Sequence, residues 1–158
     1  MANAQAMCTS FKKELMNGSH AFGAQGANAV RTVTTKDTFK GALYLVAAAP
    51  SVDATTAAYS ATGELAATGN YVAGGAAVTK ATDPNTSGTT AFWTPSASLV
   101  WSALTSSGAF DAVLIYNDAS TGKLACSVHT FGSQSITAGT FTLTMPTNDA
   151  TTGLLRIA

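Results

Sequence analysis

Charge is what this chain has least of. Only 10% of its 158 residues are Asp, Glu, Lys or Arg, against about 25% in an average globular protein. Basic and acidic residues number eight each, so the formal net charge is zero. The nearest thing to a basic run is Lys12-Lys13. Nucleic-acid binding draws on several phosphate contacts from basic side chains, and the sequence supplies no cluster for them. No stretch of about 18 uninterrupted apolar residues exists to cross a membrane. The opening Met-Ala-Asn-Ala-Gln-Ala lacks the basic start and apolar run of a secretory signal. Neither nucleic acid nor membrane is an expected partner, and synthesis in the cytosol is expected.

Groups that do chemistry are scarce too. There are two cysteines, Cys8 and Cys126, far apart and outside any CxxC motif. They read as buried thiols rather than a disulfide. The two histidines, His20 and His129, sit at no metal-ligand spacing with another ligand. His20 falls in a Gly-rich stretch that reads as a flexible loop, and His129 in an expected strand; both read as structural. Gly132-Ser133-Gln134-Ser135 is not the elbow of a serine hydrolase. Asp118 beside Asn117 fits turn chemistry better than half of an acid/base pair. The Gly23–Gly26 segment lacks the Lys of a phosphate loop. No enzyme, no metal and no cofactor is expected.

What the chain does have is Thr, Ser, Asn and Gly beside 46% hydrophobic residues. A hydroxyl that finds a partner is far cheaper to bury than an unpaired ion. Such a surface suits contact with protein, although a low-charge β domain of extracellular type has the same composition.

Helical spacing appears only at the start. Ala4, Met7, Cys8, Phe11 and Leu15 would form one apolar stripe, with Asn3 as N-cap, Gly18 as terminator and Lys12 and Lys13 in the last turns. That helix would attach to its own sheet or lie on a neighbouring subunit. Residues 18–36 are rich in small and polar residues, so residues 1–36 are expected as a helix-and-loop arm.

From residue 37 on, short apolar or alternating runs are separated by turns. Residues 42–47 form a run bounded by Gly41 and Pro50. Tyr71-Val72 and residues 76–78 flank a bend at Gly74-Gly75. Phe92-Trp93 stop at Pro95, and Leu99, Trp101 and Leu104 follow. Residues 110–116 are the clearest strand, with residues 124–131 as hairpin partner across the turn at 117–122. Phe141, Leu143 and Met145 alternate with Thr140, Thr142 and Thr144. Leu154, Leu155 and Ile157 predict one more short strand, and residues 81–89 an exposed loop. The expected fold is mainly β, a sandwich or barrel of jelly-roll or Ig-like type over residues 37–158, with a short N-terminal helix. Trp93, Trp101, Phe92, Tyr44, Tyr71 and Tyr116 would serve as core, or as the face of a carbohydrate-binding module.

Several segments, taken in order, carry a resemblance. They are Asp37-Thr38-Phe39-Lys40-Gly41-Ala42-Leu43-Tyr44, then Ala58-Tyr59-Ser60-Ala61-Thr62-Gly63-Glu64, then Tyr71-Val72-Ala73-Gly74-Gly75. Trp101, the block Asp111-Ala112-Val113-Leu114-Ile115-Tyr116-Asn117, Gly139-Thr140-Phe141, Asp149-Ala150 and Arg156-Ile157-Ala158 complete the set. From about residue 37 onward the chain resembles a family of small structural proteins of tailed bacteriophages. The resemblance implies a virion component without catalytic residues, as a capsid decoration (cement) protein or a tail or neck subunit. Its implied partners are copies of itself and other virion proteins, the major capsid protein foremost. Met7, Phe11 and Leu15 on the helix and Leu155 and Ile157 on the last strand are the candidate interface residues, by helix docking and by β-augmentation.

Overall fold

The computed structural model describes residues 2–23, 36–79 and 83–158. Within them the chain is mainly β. The elements are β1 (Ala6–Met7), α1 (Thr9–Met16), β2 (Phe39–Leu45), β3 (Ala76–Ala77), β4 (Asn85–Ser87), β5 (Thr90–Trp93), β6 (Leu99–Leu104), β7 (Phe110–Asn117), β8 (Ala125–Gln134), β9 (Gly139–Leu143) and β10 (Leu155–Ile157). They form three antiparallel sheets: β1-β8-β7-β2-β3, β10-β5-β4 and β6-β9. The arrangement is sandwich-like, as the turn-punctuated pattern predicts.

The large sheet is covered on both faces, and its two central strands show it. Neither β2 nor β7 has an exposed residue. That is why they read as apolar runs instead of alternating ones. On one face Gly41 pairs with Ile115 and Leu43 with Val113. A Cβ on Gly41 would come within 2.5 Å of Leu99, so this face meets the β6-β9 sheet with no room to spare. On the other face the Tyr116 ring stacks on Tyr59 at 4.6 Å, and Tyr44 donates to the Ser60 carbonyl at 2.5 Å. The segment from 48 to 75 thus roofs the sheet without strands of its own. β9 keeps the alternation read from sequence, with Phe141 and Leu143 half-buried and Thr140 and Thr142 exposed.

The start of the chain differs from expectation. The helix begins at Thr9, and Ala6 and Met7 instead pair with Val128 and Ser127 of β8. Asn3 is not an N-cap. Its amide donates to the Leu45 carbonyl at 2.9 Å and to Asp111 at 2.6 Å, and its Oδ1 accepts the Val52 N–H at 3.0 Å. Two bonds to the sheet and one to the segment that roofs it hold these residues extended. Cys8 is the N-cap and makes no side-chain cap bond. The other end of the helix follows the sequence. Gly18 has φ +67°, its N–H bonds to the Leu15 carbonyl, and Ser19 N–H bonds to the Glu14 carbonyl. These are the two bonds of a Schellman stop. Phe11 is 1% exposed and belongs to the main core, so α1 packs on its own sheet. Part of the loop expected at 81–89 is strand: Asn85–Ser87 pairs with β5. Of the loop expected at 18–36, residues 24–35 lie outside the described residues.

Candidate functional site

Two clusters have the composition of catalytic sites, and both are shaped by burial. On β8, Ser127 Oγ and His129 Nε2 share a hydrogen bond of 2.8 Å. Both line a cleft of about 510 Å³, with Met7, Met145 and Leu155. Burial lowers His129 to about 4. A base that weak removes a serine proton poorly near neutrality. Burial alone causes that shift, and among the described residues no carboxylate is hydrogen-bonded to the His129 ring to stabilise an imidazolium.

The second cluster joins α1, the segment after it, and the β7–β8 hairpin. His20 Nε2 lies 2.9 Å from Glu14 Oε2, and His20 Nδ1 lies 4.0 Å from the Cys126 sulfur. The Asn117 amide donates to Asp37 at 2.7 Å and contacts His20 Nδ1 at 3.1 Å. This is the order of a thiol triad. The His20 side chain and Cys126 are both fully buried, however, and burial pushes the Cys126 thiol well above its ordinary range. Neither side chain reaches the described surface. His20, expected in a flexible loop, is instead a core residue packed 4.9 Å from the Phe11 ring. Cys8 and Cys126 are free and buried, as the composition suggested.

A buried carboxylate went unnoticed in the sequence. Glu64 is 7% exposed, and it accepts hydrogen bonds from Tyr59 at 2.6 Å, Tyr71 at 2.7 Å and the Gly74 N–H at 2.7 Å. Tyr71 also accepts the Leu43 N–H at 3.0 Å. Desolvation, with Glu64 beside them, pushes the pKa of Tyr59 and Tyr71 up, so both hydroxyls keep the protons they donate. Each partner satisfies the others, which is what buried polar groups need. The network clamps the 59–74 segment to β2 and is structural.

The aromatics weighed as a sugar-binding face are core. Tyr44, Tyr71, Trp93, Trp101 and Tyr116 are 1–5% exposed and Phe92 is 8% exposed. Among the described residues no group of three potential metal ligands comes together. No helix among them is long and apolar enough to cross a membrane.

What the described surface does carry is an apolar groove. Its walls are Phe11 and Leu15 of α1 and Leu155 and Ile157 of β10, and its floor includes Phe92 and Trp93 of β5. Phe22, Pro84 and Ala91 complete it, so among the described residues only apolar and aromatic side chains line its volume of about 100 Å³. Four of the five candidate interface residues therefore meet at one place, although about 140 positions of sequence separate Leu15 from Ile157. The pairing of β10 with β5, Ile157 opposite Ala91 and Leu155 opposite Trp93, brings them there. Met7 stands apart. It is half-buried opposite Ser127 and faces the larger cleft, which Leu155 also borders. Ile157 is 49% exposed, and Met16, just past Leu15, is 83% exposed. The aromatic floor was the part missed in the sequence. Phe22 looked like a loop residue, but its ring stacks on Phe39 at 4.3 Å and meets Trp93 edge-on at 4.9 Å.

No known protein family, curated protein or solved structure matches the chain.

Proposed function

We propose that this chain is a non-enzymatic structural subunit of a tailed-phage virion, a capsid decoration protein that binds neighbouring virion subunits through the α1–β10 groove. The observation that carries this reading is the groove itself. Residues from the two ends of the sequence, Phe11 and Leu15 with Leu155 and half-exposed Ile157, line one apolar cleft. The ordered blocks that resemble small phage structural proteins supply the virion context. The low charge supports it as well, because a Thr- and Ser-rich surface loses little when covered. Many symmetry-repeated weak contacts give firm attachment without one tight interface. The two reactive-looking clusters argue for no competing activity, since one base is too weak and one thiol is sealed.

Two measurements test the proposal. Quantitative mass spectrometry of particles of the phage that encodes the chain is expected to find it at decoration-level copy number. Recovery at a ring multiple instead assigns it to the tail or neck, and absence from particles overturns the virion reading. Ile157→Asp and Leu15→Asp then test the groove. Ile157 is half-exposed, so its replacement leaves folding nearly intact while removing an apolar wall. Loss of particle binding by a folded Ile157→Asp protein is expected; binding equal to wild type overturns the groove as the contact.

A further inference from the structure

We propose that Cys8 and Cys126 form a redox pair, which closes into a disulfide between the root of α1 and β8, with His20 as the base that activates Cys126. The inference stands apart from the virion reading and rests on register. Ala6 faces Val128 and Met7 faces Ser127, so the next pair in the antiparallel ladder is Cys8 and Cys126. The Cys8 N–H donates to the Cys126 carbonyl at 3.0 Å, which extends the pairing by that step. Facing residues in such a ladder hold their Cα atoms about 4.5–5.5 Å apart. A disulfide spans Cα separations of roughly 4.4–6.8 Å. At present the Cys8 sulfur lies 3.9 Å from the Asp53 carbonyl and the Cys126 sulfur 4.0 Å from His20 Nδ1, so closure needs both side chains to turn from these partners toward each other.

The hydrogen-bond network assigns the tautomer of His20. The Asn117 Oδ1 accepts the N–H groups of Ala119 and Ser120, which fixes its amide nitrogen toward Asp37 and His20. His20 Nδ1 therefore faces a donor and carries a lone pair. The ring hydrogen sits on Nε2 and is donated to Glu14. That lone pair lies 4.0 Å from the Cys126 sulfur, whose S–H reaches the Leu124 carbonyl at 3.8 Å, so the thiol turns from Leu124 and displaces the Asn117 donor when His20 takes its proton. Glu14 stabilises the imidazolium that forms when the proton arrives. Burial raises both thiols, Cys8 to about 12 and Cys126 well above its usual range, so neither ionises readily unaided. A base in contact with Cys126 answers that obstacle.

The oxidant is a small-molecule disulfide such as oxidised glutathione. β1 has only two residues, so local opening of this edge exposes Cys8 first. Cys8 loses its proton to solvent and attacks one sulfur of the oxidant, whose S–S bond breaks and releases one small thiolate. Cys126 then passes its proton to His20 and attacks the Cys8 sulfur, displacing the second small thiolate. Two protein thiols are oxidised to one disulfide. The small disulfide is reduced to two thiols, which take up the two protons.

The full chain is incubated with oxidised glutathione, and its intact mass, its linked peptides and its Tm are followed. The expected product has lost two hydrogens, links the peptide of Cys8 to that of Cys126, and melts on the order of 5–10 °C higher, because the bond closes a long loop. Cys8→Ala and Cys126→Ala abolish the shift. His20→Gln keeps a donor for Glu14 but loses the lone pair at Nδ1. It is expected to slow closure at least ten-fold in the native protein, while the urea-unfolded chains of variant and wild type close at equal rates. Free thiols after refolding in a glutathione redox buffer, or a lasting glutathione adduct at Cys8, overturn the pair. Equal native rates for His20→Gln and wild type overturn the base.

Discussion

Replacing Asn3 by Ser separates two accounts of the first residues. If Asn3 capped a helix, Ser would do nearly as well, because the two are equivalent N-caps to within a few tenths of a kcal/mol. The structure gives Asn3 another task. Its amide donates to the Leu45 carbonyl and to the Asp111 carboxylate, and its carbonyl oxygen accepts the N–H of buried Val52. Ser is too short to reach three partners on three segments. A neutral hydrogen bond contributes about 0.5–1.5 kcal/mol and one to a charged group about 1.5–3 kcal/mol. Three such bonds sum to about 4 kcal/mol at mid-range, and water that reaches half-buried Asp111 returns part of that. The expected loss for Asn3→Ser is therefore about 2–4 kcal/mol. In a chain of this size it lowers Tm by roughly 5–12 °C. Urea unfolding followed by far-UV circular dichroism measures the loss directly. The double variant with Asp111→Asn closes a cycle that isolates the strongest bond, for which a coupling of about 1–2 kcal/mol is expected. A loss under about 0.5 kcal/mol for Asn3→Ser refutes the bridging role and restores the cap.

Two further tests concern the interior. Gly75 has φ +77° and a Cβ there would lie 1.9 Å from the Gly41 carbonyl oxygen, whereas Gly88 has φ +57° and open space around it. Gly75→Ala should thus prevent soluble expression or cost more than about 4 kcal/mol, and Gly88→Ala only about 1 kcal/mol; similar midpoints in urea for the two variants would contradict the close approach of β2 and β3. His129 is depressed to about 4 by burial, so the folded state binds fewer protons than the unfolded one between about pH 6.5 and 4. Its contribution is full above about pH 6.5 and is lost as pH falls to about 4; His129→Gln should flatten that part of the stability–pH curve by about 1–3 kcal/mol, and a curve parallel to wild type would show that the imidazole is freely hydrated when folded.

The strands were legible because their signals are local. Residues 110–116 and the alternation at Phe141 and Leu143 are properties of neighbours in sequence, and β7 and β9 appear where they predict. The Schellman stop was legible for the same reason: one Gly after an amphipathic turn is enough. Asn3 shows where local reading fails. An Asn before an apolar stripe has the look of a cap, and only the positions of Leu45, Val52 and Asp111 reveal that its partners are elsewhere. The candidate site was half legible. Leu15 and Ile157 could be named as unpartnered apolar residues, but their meeting in one groove depends on β10 pairing with β5, a contact across more than 60 residues. Glu64 and His20 were invisible as core groups. Nothing near Glu64 in sequence says that Gly74 will aim its N–H at it. Nothing in a Gly-rich stretch says that an imidazole will be sealed under Phe11.

Burial, more than residue identity, decides what the reactive groups of this chain can do. Glu14, His20 and Cys126 stand in an order that would make a nucleophile at a surface. Here the sulfur is closed to any carbon electrophile, and the group across the ladder is another sulfur. The same enclosure that buries both sulfurs would favour reaction between the two thiols, since the second step of exchange is intramolecular and needs no further access. It also bears on the groove. α1 begins at the residue after Cys8, and Phe11 and Leu15 follow within two turns. A covalent tie at Cys8 would fix the root of the helix that forms one wall of the groove, so the oxidised protein should present that wall with less freedom to lose on binding. Preorganisation of this kind raises affinity without adding a contact. If the groove binds virion subunits, the oxidised chain should therefore hold particles more tightly than the reduced one, and by the same factor particle binding should drive the thiols toward the disulfide. Measuring one factor predicts the other, and unequal factors would show that the redox pair and the groove are not linked through α1.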